Sequence, residues 1–146
     1  MSKSDTYEND LLKLLLNATA IANVADNTAT SPTTALWAGL HTADPADTGT
    51  QGTNEVSYTG YARTLTQRST GTSGWTIASG AANPVSAITF PQATSTSTGT
   101  ITHFSVGLSS SSTSGKIFYS GTVTPNVNYG QNVTPSLTTG SAITED

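Results

Sequence analysis

The stretch LWAGLHTADPADTG (residues 36–49) decides how the chain is read. Leu36, Ala38 and Leu40 alternate with Trp37, Gly39 and His41, the two-residue period of a strand with two distinct faces. His41 is then followed by Asp44 and Asp47, with Pro45 between them. Such a trio invites a metal site or a histidine–carboxylate pair. A catalytic triad also needs a serine held by the same histidine, and in a chain this rich in serine a chance match carries no weight. Metal sites need three or four ligands in fixed geometry, and the only other histidine is His103. The stretch therefore reads as a strand ending at His41, then an Asp-Pro turn whose carboxylates accept from nearby backbone N–H groups. No catalytic residue, metal or cofactor is expected, and the chain is not read as an enzyme.

Upstream, the pattern changes to a helical one. Asp5 with Glu8 three residues on fits a variant of the capping box. Leu11, Leu15, Ala18, Ala22 and Ala25 share one helix face, which places the helix end near Asp26 and Asn27, before Ser31-Pro32 forbids continuation. Leu12, Leu14, Leu16 and Ile21 lie off that face, so the helix is apolar on more than one side. It packs across the end of the β-domain or docks on another subunit. Leu11, Leu12, Leu15, Leu16 and Ile21 are the candidate interface residues.

Downstream, VSYTGYARTLTQ (56–67) resumes alternation, with Tyr61, Arg63 and Leu65 on one side. Arg63 stacks on Tyr61 or pairs with Glu55 or an aspartate of the preceding loop, in each case a structural role. Short strand candidates follow at GWTIA, PVSAITF, ITHFSVGL, KIFYSGTV and AITED, separated by serine- and threonine-rich loops at 69–74, 94–99 and 109–115. SGK at 114–116 lacks the flanking residues of a phosphate loop and reads as a hairpin turn. Asn17-Ala-Thr19 and Asn132-Val-Thr134 match the glycosylation pattern, idle without a secretory leader, and Glu145-Asp146 is a solvated end. The fold class is mainly β: an antiparallel β-sandwich or jelly-roll-like domain (32–146), preceded by an N-terminal arm and amphipathic helix (1–31).

The bulk numbers agree. The 146 residues suffice for one core without cysteines, of which there are none. Only 10% of residues are charged, against roughly 25% in ordinary soluble domains, and serine and threonine fill about a third of the chain. No acidic residue lies between Glu55 and Glu145, and only Arg63, Arg68 and Lys116 are basic there. A net charge of −4 with so few cations excludes nucleic acid as a partner. No run is long enough to span a membrane, so the chain is expected to be made in a cytoplasm and to stay soluble.

LHTADP, TNEVSYTGYAR, GWT, ITFPQ, ITHFSVGLSSSSTSGKIFYSG and the closing AITED together resemble a widespread family of small tailed-bacteriophage virion proteins, over nearly the whole chain. The resemblance implies a structural protein of the virion, made in the bacterial host, with no catalytic residues to carry over. His41, Asp44, Pro45, Asn54, Glu55, Tyr61 and Arg63 would then be structural residues of a strand–loop–strand unit. The favoured expectation is a capsid cement protein on the shell surface, a homo-oligomer, with a trimer favoured, bridging copies of the major capsid protein. The alternative is a tail-fibre or host-receptor-binding component presenting its long loops to a glycan. Those loops hold no aromatic residue, which argues against a sugar site. A glycosidase ranks third, because the acids crowd before residue 56 or at the very end.

Overall fold

The computed structural model describes residues 4–21 and 33–144. Ten elements run in the order α1 (Asp5–Leu16), β1 (Ala35–His41), β2 (Thr64–Gln67), β3 (Trp75–Ala78), β4 (Ala81–Pro84), β5 (Ile88–Thr89), β6 (Gly99–Gly107), β7 (Ile117–Tyr129), β8 (Ser136–Leu137) and β9 (Ile143–Thr144). The architecture is mainly β and antiparallel behind one N-terminal helix, as the patterning implies. The strands form sheets of order β2-β1-β6-β7, β3-β4-β9 and β5-β8. They belong to two compact units of interleaved chain, the first from residues 1–35, 66–87 and 137–146, the second from 36–65 and 88–136.

In the first unit α1 packs on β3 and β4. Leu12 and Leu16 are fully buried there, with Trp75, Ala82 and Ile143 also in the core, and each buried leucine is worth about 2–3 kcal/mol. Leu11, Leu14, Leu15 and Ile21 are half-buried. Two details of the helix differ from the sequence reading. Its N-cap is Ser4, whose hydroxyl accepts from Tyr7 N at 3.5 Å, so the capping residue lies one position earlier than Asp5. Its last residue is Leu16, well short of Asp26 and Asn27: Asn17 caps it and Ala18 turns left-handed with φ 54°. Ala22, Ala25, Asp26 and Asn27 lie outside the described residues.

Two of the carbonyls left open at the end of the helix find their donor outside it. Arg68 donates from Nη2 to Leu14 O (2.6 Å), from Nε to Leu15 O (2.7 Å) and from Nη1 to Thr33 O (2.6 Å). A cation is also favoured at the negative end of the helix dipole. Beyond the helix, β3 and β4 form a hairpin in which Ala78 faces Ala81 across Ser79 and Gly80. Both turn residues have positive φ, 51° and 70°, the two-residue turn that matches the twist of paired strands.

In the second unit β1 pairs with β6 from Trp37↔Gly107 to His41↔His103. β6 and β7 continue the sheet as a long hairpin around the serine-rich turn that includes Ser114–Lys116. The β6–β7 register slips between Ile101 and His103, where β7 holds the extra residues around Pro125, which has no N–H for the ladder. Leu36, Ala38 and Leu40 are buried as expected, yet Gly39 and His41 are buried too, so the end of β1 is covered on both faces. The 56–67 segment differs more. Only Thr64–Gln67 is strand; Tyr61 N donates to Tyr58 O in a turn, and Gly60 has φ 96°. Arg63 is buried while Leu65 is 43% exposed, so the two do not share a face.

Candidate functional site

The residues of the opening stretch and of TNEVSYTGYAR converge on one polar network in the second unit. β1 delivers His41 at its end, where an isolated antiparallel bridge joins it to Glu55. The intervening loop closes by local chemistry. Asp44 Oδ1 accepts from Ala46 N at 2.8 Å, the Asp-Pro turn expected from the sequence. Asn54, with φ 54°, donates from Nδ2 to Asp44 O at 3.0 Å, and its carbonyl accepts from Thr42 N at 2.9 Å. Pro45 is buried, whereas Asp44 and Asp47 are exposed, and Asp47 lies apart from the network.

At the centre is the pair of Arg63 and Glu55, one of the three partners expected for Arg63. The guanidinium donates to both carboxylate oxygens, from Nε to Oε1 at 2.6 Å and from Nη2 to Oε2 at 2.7 Å. Its Nη1 donates to Ser109 O and Ser112 O at 2.9 and 3.1 Å, pinning the serine-rich turn. Side-chain exposure is 2% for Arg63 and 17% for Glu55. This fork-to-fork geometry is what an arginine provides and a lysine does not. Tyr61 Oη donates to Glu55 Oε1 at 3.0 Å and accepts from Leu40 N at 3.0 Å. Its ring meets Tyr58 edge-on at 5.3 Å between centroids. Burial raises the hydroxyl pKa of both tyrosines, that of Tyr58 to about 12.

His41 is fully buried and bonded through both ring nitrogens, Nδ1 to Thr53 O and Nε2 to Ser105 Oγ, each at 2.8 Å. A carbonyl only accepts, so Nδ1 carries a proton. Burial favours the neutral ring, in which Nε2 accepts from the serine. Its pKa is lowered chiefly by burial, with Arg63 and His103 adding to the effect and the Thr53 carbonyl and Glu55 opposing it. A serine on a histidine nitrogen has the outline of a catalytic pair. Here, however, the third partner is a backbone carbonyl and Ser105 is also fully buried. His103 stands opposite His41 in the ladder but bonds Thr102 Oγ1 at 2.9 Å. Among the described residues no group of three His, Cys, Asp or Glu side chains is placed to hold a metal ion.

Sequence reasoning missed Gln51, Ser105 and the carbonyls of Ser109 and Ser112. Gln51 is fully buried, donating to Trp37 O at 3.3 Å and accepting from Ser109 N at 2.8 Å. Its backbone N donates to Gly115 O and Gly52 N to Thr113 O, so the loop after β1 is zipped along the β6–β7 turn. The only sequence signal was glycine. A Cβ at Gly107 or Gly115 would strike the Gln51 amide. Next to Glu55 and Arg63 the surface sinks into a cavity of about 240 Å³, lined also by Tyr61, Ala62, Ser110 and Ser111. The aromatic missing from the serine loop is thus supplied from another segment.

His41, Asn54, Glu55, Tyr61 and Arg63 tie together neighbouring segments of a β-rich chain, and a family match along the chain shows the class to which it belongs, the bacteriophage virion structural proteins. Residues 2–144 match the model of the family described as Podophage GP4 fiber I protein gp80, and the chain belongs to this family. No curated protein matches it. Among the described residues no helix is long and apolar enough to cross a membrane.

Proposed function

We propose that the chain is a fibre or tail-associated structural component of the phage particle. The observation that carries this reading is the family match over residues 2–144, because the family is described by a fibre protein. The capsid-cement role favoured from the sequence is the weaker of the two, since its support was a small hydroxyl-rich β-domain, which fits a fibre module equally well. The role is one of assembly without catalysis: the Ser105–His41 contact is sealed in the core, and the Glu55–Arg63 pair ties loops together. Association with further copies of itself, a trimer included, belongs to the same proposal.

Immunogold labelling of intact virions with an antibody to the chain tests the location. Label confined to the tail region, with a few dozen copies or fewer per particle on a stained gel, is the expected result. Label over the whole shell with hundreds of copies would return the cement reading to first place. Sedimentation equilibrium of the purified chain reports the self-association separately.

A further inference from the structure

We propose that the cavity beside Glu55 and Arg63 is a binding site for a neutral, hydroxyl-bearing ring, the pyranose of a saccharide. Its lining comes from distant parts of the second unit: Glu55, Tyr61, Ala62 and Arg63 on one side, Ser110 and Ser111 on the other. The chemistry of this lining is selective. Four of the five N–H groups of Arg63 are engaged, with Glu55 and with the carbonyls of Ser109 and Ser112, and its side chain is only 2% exposed, so an anion finds little of the guanidinium to bind. Glu55 already faces that guanidinium at 2.6 Å, so the pair presents little net charge to a cation.

What remains is hydrogen bonding. A carboxylate offers about four acceptor positions, and Glu55 has three filled, by Tyr61 Oη, Arg63 Nε and Arg63 Nη2. The carboxylate therefore keeps about one acceptor position for a further donor, on a side chain that is 17% exposed. Ser110 and Ser111 are exposed, and each hydroxyl both donates and accepts. Half-buried Tyr61 is the aromatic residue of the lining, the residue type against which C–H groups of a sugar pack. At 240 Å³ the cavity is smaller than sites for drug-sized ligands, which begin near roughly 300 Å³, and it suits a single ring. The Glu55–Arg63–Tyr61 lattice also holds the acceptor rigid before any ligand arrives, which lowers the ordering cost of binding.

The site belongs to the chain wherever the chain is mounted in the particle, so the location experiment and this one fail independently. The test is a titration of the isotope-labelled full chain with D-glucose, D-galactose and N-acetyl-D-glucosamine, followed by backbone amide shifts. Sodium phosphate and ethanolamine serve as charged comparators. The expected result is saturable shifts for at least one sugar, centred on Ala62, Arg63, Ser110 and Ser111. Ala62→Phe, at an exposed position, fills the cavity and should weaken binding at least tenfold with the rest of the spectrum unchanged. The double variant Ser110→Ala/Ser111→Ala should weaken it several-fold. Three outcomes overturn the proposal: no saturable shift with any sugar, shifts that survive Ala62→Phe, or tighter binding of phosphate or ethanolamine than of the sugars.

Discussion

Arg63, Glu55 and His41 carry more of the structure than their share of the composition suggests. Removing one member of a buried ion pair strands the other, at a cost of about 3–5 kcal/mol, and Glu55 keeps 17% exposure, so the lower figure applies. Arg63→Met should therefore lower unfolding free energy in urea by about 3 kcal/mol. The double variant with Glu55→Gln should lose less than the two single losses added together, since no unpaired charge remains. A double variant that loses the full sum would mean the two side chains do not act as a pair. His41 gives the molecule a pH dependence of known sign. Its folded pKa lies below the ordinary value of 6.5, chiefly through burial, so the unfolded chain binds the proton more readily. The contribution is complete above pH 6.5 and is lost as pH falls through that value towards the lower folded pKa. Urea unfolding at pH 7.5 and at pH 5 should show this loss, and His41→Gln should show a smaller one. At this scale the sequence was half legible. That His41 closes a strand and Asp44 makes a turn are local facts, readable from neighbours. That Arg63 chooses Glu55 over the nearby aspartates depends on where the 56–63 segment turns.

At the level of elements, helix α1 shows how a terminus is settled from a distance. Its apolar pattern announced a helix but ran past the observed end, since nothing in residues 5–25 marks Leu16 as the last turn. The donor that satisfies its last carbonyls is Arg68, some fifty residues away in sequence. Arg68→Gln should leave the carbonyls of Leu14, Leu15 and Thr33 short of donors, lowering stability by about 2 kcal/mol and speeding amide exchange in α1 before other elements. Uniform acceleration over the whole chain would count against a local capping role. Close approach rather than flexibility explains Gly107: an added Cβ would meet the Gln51 amide and Lys116 O, whereas Gly71 has only Ser69 Oγ nearby at 3.6 Å. Gly107→Ala should cost at least about 1–3 kcal/mol, as overpacking does, and Gly71→Ala less than about 0.5 kcal/mol, both read from thermal or urea unfolding. The strands divide in the same way. β1, β3 and β6 stood out by alternation, while β4 and β8 did not. β4 is AANP, weak in strand-forming residues, and it exists because the Ser79-Gly80 turn folds it onto β3 and because β9 pairs with its other edge.

For the whole molecule, composition and connectivity set the behaviour. With 10% charged residues and a sequence pI near 4.8, little like-charge repulsion opposes association near that pH. Solubility measured across pH should pass through a minimum there, whereas a flat profile would show that hydroxyls alone keep the chain dispersed. The first unit includes the last segment of the chain, with Ile143 of β9 opposite Ala82 of β4. Deleting residues 138–146 should therefore destabilise the β3–β4 hairpin and the packing of α1 on it, seen as lost protection from amide exchange in both. The sequence by itself determined the antiparallel β class, the N-terminal helix, the strand at 35–41 with its turn, and the scarcity of charge, since periodicity and composition act between near neighbours. Only the tertiary structure decided which arginine caps the helix, which acid pairs with Arg63, and that Tyr61 and Glu55 stand beside Ser110 and Ser111. Those choices are made by groups many residues apart, whose approach depends on strand register and loop closure, and local pattern carries no record of either.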